Sequence, residues 1–182
     1  MNMHLALLRG INVSGKNIIK MEELKKTMIS KGFFNVKTYI QSGNIFFETN
    51  IDEKDFLSIK LNEIIKESFG LDVPVIMVSK NELEFVVNKN PFLSKDETTK
   101  NLYVSFLSKE PENGDLELLK AIDFNGDEFV LLGRFLFLKY SNSAAKTKLD
   151  NKMIEKKLNV TSTSRNWNTI NNLLKIYDEA NF

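Results

Sequence analysis

The chain has 182 residues, is 42% hydrophobic with 14 Phe, and carries a net charge of +1, so it can bury a substantial core as one domain or as two small domains sharing an interface. The absence of Cys excludes disulfides, thiolate nucleophiles and cysteine-bound zinc or iron–sulfur clusters, and a single His excludes histidine-rich metal sites and most Ser–His catalysis, so no metal or cofactor is expected. The apolar start around His4 is too short for a signal peptide and no later stretch reaches the length of a membrane span, so a cytoplasmic protein with no membrane attachment is expected.

Residues 3–8 read as a short buried strand that ends in a loop bracketed by Gly10 and Gly15. Met21, Leu24, Met28 and Ile29 recur at helical spacing, and Gly32 stops that helix. Residues 36–40 and 45–48 are β-rich runs joined through Ser42-Gly43, which suits a tight hairpin. Asp52 is placed to cap a helix with an apolar stripe of Leu57, Leu61, Ile64, Ile65 and Phe69, ended by Gly70, and residues 73–78 form another strand.

Strand, helix, strand, strand, helix, strand is the ferredoxin-like split βαβ order. Ser79-Lys80-Asn81-Glu82 has the form of a capping box, which predicts a connecting helix that stops before Asn90-Pro91. The order then repeats: strand 102–107, helix 115–122, strand 128–132, a turn at Gly133-Arg134, strand 135–140, helix 145–157 and a short strand at 160–163. A closing helix follows, with Trp167, Ile170, Leu174 and Tyr177 on one face and Thr163 or Ser164 as its cap. The fold expected is α+β: two ferredoxin-like (βαββαβ) halves packed together, residues 1–79 and 101–182, joined by a helix and loop over 80–100.

In a split βαβ unit the third strand is inserted antiparallel between the first two, so the end of strand one, the turn between strands two and three and the start of helix one share an edge of the sheet. That topology predicts convergence of Arg9, Asn12, Lys16, Asn17, Gln41, Ser42 and Asn44, with Asp72 nearby. Two cations, glycine-loop amides and a helix N-terminus suit a small anionic ligand such as a phosphate or a carboxylate. The same residue types also serve as plain turn formers whose side chains satisfy loop backbone.

Gly10-Ile11-Asn12-Val13-Ser14-Gly15-Lys16 fits the G-x-x-x-x-G-K spacing, but Asn17 stands where a magnesium-binding Ser or Thr is needed and the helix starts only near Met21. Phe46 and Phe47 lie on the third strand, where an RNA-recognition fold carries aromatics, and alternation sends one to the core and the other to the open face. Charge is uneven: residues 96–128 hold nine acids against three lysines, and residues 134–175 hold nine Lys/Arg against two acids. Lys146, Lys148, Lys152, Lys156, Lys157 and Arg165 make that second region an alternative, nucleic-acid-binding surface, though a solvated helix face explains it better. Neither a protein-interaction role nor an enzyme built on Arg, Lys, Tyr or carboxylates is excluded, and no acid–base pair stands at a readable spacing.

The blocks Leu7-Leu8-Arg9-Gly10-Ile11-Asn12-Val13-Ser14-Gly15-Lys16-Asn17, Thr38-Tyr39-Ile40-Gln41-Ser42-Gly43-Asn44, Asn90-Pro91-Phe92 and Thr163-Ser164-Arg165-Asn166-Trp167-Asn168-Thr169 together resemble the bacterial family catalogued as domain of unknown function 1697. The family usually has a second glycine where this chain has Ser14. The resemblance implies a fold of two ferredoxin-like halves and no particular activity or substrate. It makes Arg165, Asn166 and Trp167 a second candidate block, although the apolar stripe of the last helix favours Trp167 as its anchor in the core over a ligand contact.

Overall fold

The computed structural model describes residues 1–93 and 98–179, and they divide into two compact units, Met1–Ser79 and Lys80–Phe182. In the first unit β1 (Asn2–Leu8), α1 (Met21–Ser30), β2 (Phe34–Tyr39), β3 (Asn44–Thr49), α2 (Lys54–Phe69) and β4 (Val75–Val78) follow in the expected order. The sheet runs β2-β3-β1-β4, with β3 antiparallel to both β2 and β1. This is the split βαβ topology.

The period-2 alternation of β1 and β3 sends Ala6, Leu8, Ile45 and Phe47 to the helix side, where they meet Leu24 and Met28 of α1 and Leu57, Leu61 and Ile65 of α2. Phe33 meets Phe47 edge-on at 5.0 Å, and the Lys60 ammonium lies 5.3 Å from the Phe33 ring centre. Gly70, at φ +69°, ends α2 with its N–H donating to the Lys66 carbonyl. Glu53, not Asp52, stands at the head of α2, and the Asp52 carboxylate instead accepts from the Asn2 amide. Phe46 is 1% exposed and Phe47 fully buried, so neither is open for base stacking.

The second unit contains α3 (Lys80–Lys89), a 3-10 turn (Thr99–Asn101), β5 (Leu102–Leu107), α4 (Asn113–Lys120), β6 (Glu128–Leu132), β7 (Phe135–Lys139), α5 (Asn151–Leu158), β8 (Ser162–Asn166) and α6 (Trp167–Glu179). Its sheet order, β6-β7-β5-β8, repeats the first arrangement. Leu107, Leu136 and Leu138 pack with Leu119 of α4 and with Ile154 and Leu158 of α5. The segment expected as a connection thus includes α3, held in this unit by Lys80–Asp178 at 2.8 Å, Arg134–Glu82 at 2.7 Å and the Phe85–Phe135 ring pair at 5.7 Å.

Three local expectations are corrected here. The helix predicted over 145–157 begins only at Asn151, because Asp127 accepts from the Ser141 N–H and from the Thr147 hydroxyl and holds the intervening chain as a loop. Asp150 then caps α5 through the Met153 N–H at 2.8 Å. The last strand runs through Thr163 and Ser164 to Asn166, so the α6 cap passes to Asn166, whose Oδ1 accepts from the Thr169 N–H at 2.8 Å. Leu173 rather than Leu174 completes the buried face of α6.

Candidate functional site

The end of β1 is clamped on both sides, with the Leu8 N–H donating to the Gly43 carbonyl at 2.8 Å and the Arg9 N–H to the Pro74 carbonyl at 3.0 Å. Beyond it the chain makes a miniature hairpin. Lys16 N–H returns to the Val13 carbonyl at 3.0 Å, and Ser14 and Gly15, at φ +51° and +74°, take the left-handed conformations that a type I′ turn requires. Asn12 N–H closes the hairpin base on the Asn17 carbonyl at 3.1 Å. The G-x-x-x-x-G-K stretch is therefore a hairpin rather than a phosphate cradle leading straight into a helix.

Asn12 joins the two motif stretches. Its Nδ2 donates to the Ile19 carbonyl at 3.0 Å and to the Gln41 carbonyl at 2.9 Å, while its Oδ1 accepts from the Ile19 N–H at 2.9 Å. Asn17 Nδ2 donates to the Gly10 carbonyl at 3.0 Å. Asn44, fully buried, donates to the Tyr39 carbonyl at 2.9 Å and to Ser42 Oγ at 3.1 Å. Of the residues predicted to bind a ligand, Asn12, Asn17 and Asn44 spend their amides on the loop itself, while Lys16 and Gln41 are exposed and Arg9 and Ser42 partly so.

The helix contribution differs from expectation. The first turn of α1 carries Glu22 and Glu23, and Lys20 pairs with Glu23 at 3.1 Å, so its dipole is already complemented. Positive charge at this edge rests on Arg9 and Lys16. Asp72 is engaged by Asn62 at 2.9 Å and Lys66 at 3.7 Å, which holds its carboxyl below the usual range. Sequence reasoning missed an adjoining groove of about 390 Å³ formed by Lys20, Met21, Glu22, Thr38, Ile40 and Gln41. No sequence signal marked it, because Ile40 lies just past β2 and turns to the groove through a left-handed backbone, φ +50°.

The second block divides. Arg165 is 5% exposed, donates to Thr163 Oγ1 at 2.8 Å and to the Ser164 carbonyl at 2.9 Å, and has its pKa pushed down to about 10 by burial, so it remains a cation at neutral pH. Trp167 is buried at the start of α6, and it and Asn166 border a separate groove of about 430 Å³. Lys146 and Lys148 of the basic segment border a small cavity with Asp127, and Lys139 pairs with Glu128 at 3.5 Å. Among the described residues no group of three or more His, Asp or Glu could hold a metal ion, and no helix is long and apolar enough to cross a membrane.

Comparison with known proteins adds the relationship. The structure of the conserved bacterial protein SP0830 from Streptococcus pneumoniae is similar at a TM-score of 0.70 and 26% identity, covering 97% of this chain and 98% of that one. No curated protein matches. The model of the family described as "Protein of unknown function (DUF1697)" matches residues 1–137, a stretch that contains the hairpin, the 40–43 turn and the Asn90-Pro91-Phe92 block. Matched over well more than half its length, the chain belongs to the DUF1697 family of proteins of unknown function.

Proposed function

We propose that the edge built by the 9–17 loop and the 41–44 turn binds a small anionic ligand, phosphorylated or carboxylate-bearing. Arg9, Lys16, Gln41 and Ser42 make the contacts, and Asn12, Asn17 and Asn44 hold the loops in shape. One observation carries the reading. The side chain of Asn12 is consumed in fastening the hairpin to the carbonyl of Gln41, which pre-organises an edge bearing two cationic side chains. On this reading the protein works in the cytoplasm.

The basic region 134–175 supports nucleic-acid binding less well, because Arg165 is buried and Lys139 has an acidic partner. Thermal-shift measurements on wild type, Arg9→Ala and Lys16→Ala, against nucleotides, sugar phosphates and carboxylates at two salt concentrations, test the proposal. A ligand at a hundredfold its Kd adds about 2.7 kcal/mol. The shift should disappear in both variants, and its persistence in folded Lys16→Ala would overturn the assignment.

A further inference from the structure

The groove of about 430 Å³ in the second unit is of a size that holds a small metabolite, within the roughly 300–1,000 Å³ usual for ligand pockets. Chain pairing explains its walls. β8 ends at Asn166 opposite Tyr103, and β7 ends at Lys139 opposite Leu102. The 3-10 turn enters β5 from that same end, with the Asn101 carbonyl accepting from the Tyr140 N–H at 3.0 Å. Because α6 begins at Trp167 with no connecting loop, the helix start and the 3-10 turn face each other across a gap that no described side chain fills.

The chemistry of this lining is one-sided. Among the described residues, Lys100 is the only charged residue of the lining and no carboxylate borders the groove. Asn101, Asn166 and Asn168 supply three amides. Asn166 Oδ1 is committed to the Thr169 N–H, which fixes the orientation of the amide and directs Nδ2 away from the helix as a donor. The partly exposed Tyr103, packed on Tyr140 at 5.1 Å, and the edge of Trp167 supply an apolar strip.

We propose that this groove is a second binding site, independent of the edge in the first unit, for a phosphorylated polyol of the sugar-phosphate class. Lys100 takes the phosphate as a point charge. The Asn101 and Asn168 amides, able to donate and to accept, and the Asn166 Nδ2 donor take hydroxyl groups. A simple inorganic anion would leave those amides unused, so both halves of the ligand are needed for affinity.

The protein's single tryptophan, Trp167, borders the groove, so its emission reports binding there. Wild-type full-length protein is titrated with ribose 5-phosphate, ribose and inorganic phosphate while Trp167 fluorescence is followed. Ribose 5-phosphate should change the emission saturably and bind at least tenfold tighter than either fragment. Lys100→Ala and Asn168→Asp should each weaken it at least tenfold. Asn168 is exposed, and an acid in the first turn of a helix is favourable to folding, so Asn168→Asp remains folded while repelling the anion. Asn166→Ser keeps a capping oxygen, removes the amide donor and should weaken binding as well. Lys16→Ala should leave the titration unchanged, which separates this site from the first. A flat Trp167 signal with every probe, an unaltered titration in Lys100→Ala and Asn168→Asp, or equal affinity for phosphate and ribose 5-phosphate would overturn the proposal.

Discussion

Gly43→Ala is the sharpest test of how the first unit builds its edge. Gly43 sits at φ +78°, and a Cβ there would lie 2.7 Å from Leu8 Cβ and 2.8 Å from Ile11 Cδ1. The left-handed conformation costs a residue with a side chain about 1–2 kcal/mol, and forcing a methyl into a packed contact costs about 1–3 kcal/mol more. Together they predict a loss of about 2–5 kcal/mol. Gly15 is the control: at φ +74° it shares the conformation but has nothing within 4 Å, so Gly15→Ala should cost only about 1–2 kcal/mol. Urea unfolding followed by far-UV circular dichroism reads both, with midpoints compared at unchanged slope. Trimming the second clashing atom should help, so Gly43→Ala combined with Ile11→Val should cost less than the sum of the two changes. Equal costs for Gly43→Ala and Gly15→Ala would refute the close approach of the 40–43 turn to the end of β1.

Three further outcomes follow from particular contacts. His4 is the only histidine; its Nε2 is buried without a partner, its ring stacks on Phe47 at 5.6 Å, and burial, assisted by Lys54 and opposed by Asp52 and the Ile51 backbone, holds its pKa below 6.5. The unfolded chain then binds the extra proton, so stability is full above pH 6.5 and falls as pH drops below it; His4→Gln should flatten that slope in thermal melts between pH 7 and 5, and an unchanged slope would discard this account. Asn151 Oδ1 accepts from Ser105, Ser162 and Ser164 at 3.3, 3.0 and 2.8 Å, with Ser105 and Ser162 fully buried. Asn151→Ala should cost about 2–4 kcal/mol by stranding those hydroxyls, and Asn151→Asp, which keeps the acceptor, should cost less; a denaturation midpoint moved equally by both would contradict this. Ile40, 47% exposed, holds φ +50°, a conformation costly for a β-branched residue. Ile40→Gly should relieve about 1–2 kcal/mol of strain, offset by about 0.5–1 kcal/mol of lost chain entropy, and so raise the melting temperature by up to about 6 °C; a lowered value would show that the strain is absent.

Much of the fold was legible in the order of residues alone. Alternating apolar positions marked β1 and β3, a three-to-four-residue period marked α1 and α2, and Gly32 and Gly70 stopped those helices because these are short-range consequences of backbone geometry. The split βαβ order followed from the element sequence, and with it the nearness of the 9–17 loop and the 41–44 turn. What only the tertiary structure decided depends on partners distant in the chain. The start of α5 is set by Asp127 reaching Ser141 and Thr147, which no local propensity encodes. The burial of Phe46 depends on what packs over the sheet, while a period of two says only that it faces away from Phe47. Asn12 and Asn44 read either as ligand contacts or as loop fasteners in one dimension, and only the tertiary structure brings the Asn12 amide to the Ile19 and Gln41 carbonyls and the Asn44 amide to the Tyr39 carbonyl and Ser42 Oγ. Gly43 reads as a turn residue, and only the placement of Leu8 and Ile11 beside it makes the missing side chain a packing requirement as well.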